Sequence, residues 1–336
     1  MRAIVREIYG SPDVLELKEV DQPVPGDNEV LVRVRASSVN RADLDYLRGF
    51  PVATRFATGW GKPRNRSLGL DVSGHVEAVG GSVTQFRRGD EVWADLAACG
   101  SGGFAEYARI PEKVLAAKPA GLTFEEAATV PHSAVMALQA LRSRGQIEPG
   151  QKVMVNGAGG CVGPFAVQIA KAFGADVTAV DRTCKMDMLR SIGADHVVDF
   201  TREDVVKNGQ RYDFILDVAS QHSVLRFRRS LNPGGTYVII PNSVSRFFQA
   251  VVVGWLATLA SQKRMGTFMW RPSNRTDLDF LKGMLEARRI KPLIDRRYVL
   301  SDTPEALSYL DEGCAQGKVV IGVCSNEANL LLATCS

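Results

Sequence analysis

The sequence predicts an α/β protein built from a β-rich domain and a doubly wound parallel sheet. Three observations carry this reading. Short β-branched runs separated by frequent turns fill roughly the first 120 residues, strands alternate with helices from 152 to 240, and a strand at 152–156 runs into clustered glycines and then a helix. At about 100–200 residues per domain, a chain of 336 residues suggests two domains.

Composition narrows the function. An apolar share of 45% and a charged share of 23% exclude a disordered or fibrous chain. Lys plus Arg number 41 against 37 Asp plus Glu, a net charge of +4, too mild and too scattered for a nucleic-acid binder. The cysteines Cys99, Cys161, Cys184, Cys314, Cys324 and Cys335 form no CxxC pair, which argues against a disulfide scaffold and a structural zinc site. The opening MRAIVREIYG lacks the apolar core of a signal peptide, so a soluble cytoplasmic protein is expected, with no transmembrane segment.

Along the chain, strands are predicted at 3–8, 14–20, 29–38, 72–79, 91–94 and 104–110, punctuated by turns such as Pro23-Val24-Pro25-Gly26-Asp27. Thr123 and Glu126 have capping-box spacing, ahead of helix-forming residues at 127–143. Strands at 152–156, 176–180, 196–199, 212–217 and 235–240 then alternate with helices at 162–173, 185–192 and 223–230. The rhythm breaks at the apolar run 247–260. Helices near 277–287 and 303–312 and strands near 297–300 and 318–323 follow, and on pattern alone they can complete either domain.

The glycine loop is the most informative stretch. A strand ending at Asn156 meets Gly157-Ala158-Gly159-Gly160-Cys161-Val162-Gly163 and then a helix. Backbone N–H groups and the helix dipole can there face a pyrophosphate. Gly157 permits the turn, Gly160 lets phosphates approach, and Gly163 lets helix and strand pack closely. Asp181 ends the next strand at the spacing of a ribose-binding acid, which favours NAD(H). Arg182 and Lys185 can pair with a 2′-phosphate, and this cationic pair tips the reading slightly towards NADP(H).

With that loop in place the chain resembles the medium-chain dehydrogenase/reductase superfamily, in its zinc-free quinone oxidoreductase-like branch. The resemblance rests on YGSPDVLELKEVDQPVPGDNEVLVRVRASSVNRADL, GLDVSGHVEAVG, FRRGDEVWA, GGFAEYARIP, GAGGCVGPFAVQIAKAFGADVTAV, IGADHVVDF and QGKVVIGV, in family order and spacing. It implies a discontinuous GroES-like catalytic domain at 1–121 and 267–324, a Rossmann NAD(P)-binding domain at 122–266, a tail at 325–336, and a cofactor cleft at the domain junction. Zinc-dependent relatives carry a cysteine where this chain has Asn40 and Gly-His-Glu where it has Gly69-Leu70-Asp71, so no metal is expected. His75 falls on a strand and reads as packed or exposed.

The resemblance, together with the residues themselves, gives the candidate residues, although it does not fix Tyr46. Asn40 can hold the substrate oxygen or the nicotinamide carboxamide. Asp43 is either a functional acid or a helix cap, Tyr46 a proton donor or a core residue, and His132 a proton donor to an enolate or a structural histidine. Met136 stands where relatives carry a carboxamide-binding threonine, leaving Ser133 as a substitute. Gly157, Gly159, Gly160, Cys161, Val162, Gly163, Asp181, Arg182 and Lys185 are expected at the cofactor, as are Asn40, Ser133, Ala219, Pro241 and Lys318. A loop at 50–66 offers Phe50, Phe56 and Trp60 for stacking on a planar acceptor, and Arg55, Lys62, Arg64 and Arg66 for attracting an anion or keeping the loop soluble. The run 247–260 is too short to span a bilayer. It can line a pocket, form a dimer contact or rest on a membrane, and an interface is the preferred reading.

The expected activity is hydride transfer from NAD(P)H to a quinone or an α,β-unsaturated carbonyl (enone), by a homodimer acting on a small molecule. Two alternatives stay open. One is a zinc-free alcohol or ketone dehydrogenase, and the other a catalytically silent NADPH-binding regulatory protein.

Overall fold

A computed structural model of the chain describes residues 1–52, 55–259 and 262–323. The expected tail at 325–336, Cys324 and Cys335 lie outside the described residues. The chain forms two compact units, one made of Met1–Val135, Pro272–Glu286 and the stretch from Pro292, the other of Met136–Arg271 and Ala287–Lys291.

The first unit begins with an antiparallel pair, β1 (Arg2–Arg6) and β2 (Leu15–Glu19). β3 (Glu29–Val39) follows and leads into α1 (Arg41–Arg48), then α2 (Arg55–Thr58), β4 (Asp71–Val79), β5 (Glu91–Asp95), β6 (Tyr107–Pro111) and β7 (Ala116–Ala117). β3 is rich in valine and mostly buried, as suits the strand that pairs with both β4 and β6. α3 (Phe124–Ala128) starts at the reciprocal cap foreseen in the sequence: Thr123 Oγ1 accepts from Glu126 N at 3.1 Å and Glu126 Oε2 accepts from Thr123 N at 2.9 Å.

The single helix expected over 127–143 is instead two. Pro131 has no N–H and disfavours helical backbone before it, so α3 stops and α4 (Pro131–Arg142) begins anew. The change of unit falls inside α4, between Val135 and Met136, rather than near residue 121. The reason lies in α3, which packs against β3 and β4.

The second unit continues with β8 (Lys152–Asn156), α5 (Gly163–Ala172), β9 (Asp176–Asp181), α6 (Met186–Ser191), β10 (His196–Asp199), β11 (Tyr212–Asp217) and β12 (Leu231–Ile239). Next come α7 (Val244–Phe248), a π-helical turn at Gln249–Val253, α8 (Gly254–Leu259) and β13 (Arg264–Thr267). All six strands are parallel, in the order β10-β9-β8-β11-β12-β13. The order reverses direction beside β8, the doubly wound switch point at which such sheets take ligands. β13 has no counterpart among the expected strands, and the helix expected at 223–230 is a run of 3₁₀ turns.

The chain then returns to the first unit through α9 (Arg275–Glu286), β14 (Ile294–Val299), α10 (Thr303–Asp311) and β15 (Lys318–Gly322). β15 inserts between β14 and β3, pairing parallel with the former and antiparallel with the latter. The main sheet of this unit therefore runs β14-β15-β3-β4-β5-β7, with β6 also on β3.

Candidate active site

In the first unit, β3, β4, β5, α1, α4 and β15 bring polar side chains into a buried cluster. Asp71 is 0% exposed and Lys318 1%, and their charged groups lie 3.2 Å apart. Asp71 Oδ2 also accepts from Ser38 Oγ at 2.7 Å and Asn40 Nδ2 at 2.8 Å, and Oδ1 accepts from the backbone N–H of His132 at 2.7 Å. The Lys318 ammonium donates to Asp71, to Ser133 Oγ at 3.1 Å and to Asn40 Oδ1. Three donors meet three acceptors, which is how a buried ammonium is tolerated.

Asn40 is held just as completely. Its Oδ1 accepts from Lys318 and from Ser133 Oγ at 3.0 Å, while Nδ2 donates to Asp71 and to Ser38 O at 3.4 Å. That exhausts an amide with two donors and two lone pairs. The polar atoms through which Asn40 and Lys318 are expected to meet substrate or cofactor are thus engaged within the cluster. Asp43 resolves likewise as a cap, because its carboxylate accepts from Asn40 N at 2.8 Å and from Gly69 N at 3.2 Å. Burial pushes the Asp43 carboxyl up to about 7, against the lowering effect of the Asn40 N–H.

His132 is buried beside Asp95, with Nδ1 3.3 Å from Oδ1. Burial opposes its charge, but Asp95 outweighs that and raises the imidazole above its usual range. Burial raises the Asp95 carboxyl, and His132 with the N–H groups of Ser273 and Ala97 more than reverses this, leaving it below the usual carboxylate range. Tyr46, half-buried on α1, has its phenol shifted upward by burial and by Asp43.

The second unit supplies the glycine loop. Gly157 has φ of +82°, and a Cβ there would lie 2.8 Å from Ala219 N. A Cβ on Gly163 would lie 2.4 Å from the carbonyl of Ala158, so α5 starts hard against the loop. A Cβ on Gly160 would meet nothing within 4 Å, the open approach that a pyrophosphate needs. These features fit a dinucleotide. Asp181 Oδ2 accepts from Gly159 N at 2.7 Å, and Lys185 Nζ donates to Gly159 O at 3.3 Å. Lys185 is thus 5% exposed and folded onto the loop, whereas Arg182 is exposed beside it. Of the two expected phosphate-pairing cations, Arg182 is the accessible one. Pro241 is half-buried just past β12.

Sequence reasoning missed a second buried carboxylate in this unit. Asp217 accepts from Asn156 Nδ2 and Tyr237 Oη, both at 2.8 Å, and from Ser220 N at 2.9 Å. Asn156 O in turn accepts from Val218 N and Ala219 N. The ends of β8 and β11 are so tied together, and an acid directly after the apolar Phe214-Ile215-Leu216 was the available signal.

Of the basic residues expected in the loop at 50–66, Arg55 is turned inward: it donates to Gly49 O and Arg48 O, both at 3.0 Å, and lies over the Tyr9 ring. This corrects its expected part in attracting an anion. Phe56 and Trp60 are exposed and pair with ring centroids 4.7 Å apart. Ala53 and Thr54 lie outside the described residues. No three His, Cys, Asp or Glu side chains converge as a metal-holding group among the described residues. Asp71, at the position of the zinc-ligand triplet, is already paired with Lys318.

Two family models match the chain, an alcohol dehydrogenase GroES-like domain over residues 26–120 and a zinc-binding dehydrogenase domain over 192–321. The chain belongs to the medium-chain dehydrogenase/reductase superfamily, in its quinone oxidoreductase-like branch, and is an NAD(P)H oxidoreductase of that type. It is 31% identical to the mitochondrial NAD(P)H oxidoreductase RTN4IP1 of Bos taurus over 96% of this chain and 89% of that protein. It is 33% identical to the 2-methylene-furan-3-one reductase of Solanum lycopersicum over 93% of this chain and 76% of that protein. The quinone oxidoreductase structure from Coxiella burnetii matches with a TM-score of 0.85 and 27% identity, covering 96% of this chain and 99% of that one.

Proposed function

We propose that the protein is a zinc-independent, NADPH-preferring reductase of quinones or α,β-unsaturated carbonyl compounds. The observation that carries this reading is the buried cluster around Asp71. At the positions where zinc-dependent relatives hold their metal, this chain has an amide with every hydrogen bond used, a leucine, and a carboxylate neutralised by an ammonium 3.2 Å away. Such a donor set does not fit a divalent cation. An acceptor that delocalises its own developing charge, a quinone or an enone, therefore suits the chain better than a simple aldehyde. The names of the tomato reductase and of an Arabidopsis NADPH-dependent alkenal/one oxidoreductase, 31% identical, support the same substrate class.

A bound nicotinamide cofactor would supply the hydride. The loop from Gly157 to Gly163 would hold its pyrophosphate, and Arg182 its 2′-phosphate. His132, whose hold on its proton Asp95 strengthens, would give that proton to an enolate or quinolate oxygen, with the Tyr46 phenol as the alternative donor in the first unit.

Oxidation of NADPH and NADH against a panel of quinones, 2-alkenals and simple alcohols tests the proposal. Turnover with quinones or alkenals that persists after chelation, in protein free of stoichiometric zinc by elemental analysis, is expected. Zinc-dependent oxidation of a simple alcohol would overturn it. Asp95→Asn should lower the pH at which the basic limb of kcat/KM falls, because the imidazolium loses its counter-charge; an unchanged limb would remove His132 from the proton path.

A further inference from the structure

The helical segment from α7 to α8 inverts the usual arrangement of a surface helix. Its inward face is made of small residues: Ala250, Gly254 and Ala257 are buried, and a Cβ on Gly254 would lie 2.8 Å from Met265 O of β13. Its large side chains point outward. Val244, Phe247, Phe248, Val251, Val252, Trp255, Leu256 and Leu259 are each between 41% and 67% exposed. Their spacing of three or four, repeated over the segment, puts them on one continuous stripe. Eight such side chains on one stripe make a contiguous apolar patch, of the kind that marks an interaction site when it reaches about the 300–600 Å² of a monomer's largest patch.

The charge around the stripe points to its occupant. From 218 to 271 the sequence holds no Asp or Glu and seven Lys or Arg: Arg226, Arg228, Arg229, Arg246, Lys263, Arg264 and Arg271. Arg226 is paired with Asp204. Lys263 donates to Arg228 O at 2.7 Å, which brings it to the 3₁₀ turns against which α8 packs. Burial, with the charges of Arg211 and Arg228 beside it, holds the Lys263 ammonium below its usual range. A second copy of the same surface would set like charge against like charge. An anionic surface with an apolar interior complements both features, since aromatic and aliphatic side chains sink to the acyl boundary while Arg and Lys meet headgroups. Among the described residues no helix is long and apolar enough to cross a membrane, so the segment would lie in the plane of the surface.

We propose that the stripe from Val244 to Leu259 docks the protein on anionic lipid bilayers. Flotation of the full chain with phosphatidylcholine vesicles, with or without about 30 mol% phosphatidylserine, tests this. At least about ten-fold more protein should float with the anionic vesicles, and the excess should fall in high salt. Phe248→Gln/Trp255→Gln should abolish flotation with an unchanged circular dichroism spectrum, and Arg229→Gln, which leaves the stripe intact, should weaken it. Equal flotation with neutral vesicles, or flotation untouched by the double variant, would overturn the proposal. So would absence of flotation, and sedimentation showing a dimer that Phe248→Gln/Trp255→Gln converts to monomer would then assign the stripe to a second copy.

Discussion

Replacing Lys318 with Met removes the ammonium while nearly keeping the side-chain volume. In the first unit Lys318 Nζ lies 3.2 Å from Asp71 Oδ2, and at an effective dielectric of about 20 that separation corresponds to about 5 kcal/mol. Asp71 keeps its bonds from Ser38, Asn40 and the His132 N–H, so it stays solvated by dipoles but loses its nearest counter-charge. Breaking a buried pair from one side costs about 3–5 kcal/mol. For a unit of this size that should lower the midpoint of its thermal transition by about 10 °C or more. Differential scanning calorimetry at pH 7 measures it. The double variant Asp71→Asn/Lys318→Met should recover at least about 2 kcal/mol of the summed losses, since both members of one pair are then gone. A single-variant shift below about 2 °C, or strictly additive losses, would refute the view that this pair holds the cluster together.

Three further outcomes follow from named contacts. Asp43, with its carboxyl at about 7 in the fold and about 4 unfolded, binds its proton more tightly when folded, so the linked stability is present below about pH 4 and is lost as pH rises through 7. Asp43→Asn should flatten the thermal midpoint against pH across that window, where the wild-type change amounts to at most about 4 kcal/mol. Arg182→Ala should raise KM for NADPH about ten-fold and leave NADH nearly unchanged, the loss of one charge-assisted phosphate contact; equal effects on both cofactors would remove Arg182 from that role. Gly163→Ala forces a methyl to 2.4 Å from the Ala158 carbonyl and should cost the second unit about 1–3 kcal/mol with weaker cofactor binding by fluorescence titration.

What the sequence reveals and what it hides follow the range of the interactions. The cap at Thr123 and Glu126, the glycines from Gly157 to Gly163 and the valines of β3 and β4 each act within a few residues, and each is legible as a local pattern. β13 is a four-residue strand, Arg-Met-Gly-Thr, with neither alternation nor β-branched enrichment, and it forms because β12 offers it a partner. The helix from α7 to α8 displays large apolar residues outward, so its composition alone gives no hint of which face is buried. The Asp71 cluster is the extreme case. Asn40 and Lys318 are 278 positions apart, and nothing local distinguishes a lysine that ends in the interior from one in water. An acid or base flanked by apolar residues, as Asp71 is by Leu70 and Val72 and Lys318 by Val319, was the only trace.

The central place of β15 bears on how the chain is made. The last strand described lies not at an edge of its sheet but between β14 and β3, so during synthesis the far end of β3, residues 36–39, lacks this partner until residues 318–322 have left the ribosome, although β6 already covers residues 29–33. Over that interval Asp71 has no ammonium beside it, and closing the sheet and neutralising the carboxylate are one event. The second unit carries no such dependence on late residues for its sheet, whose strands are complete by Thr267. A nascent chain would therefore hold one finished sheet while the other waited open, and that edge is the place where a chaperone would find it.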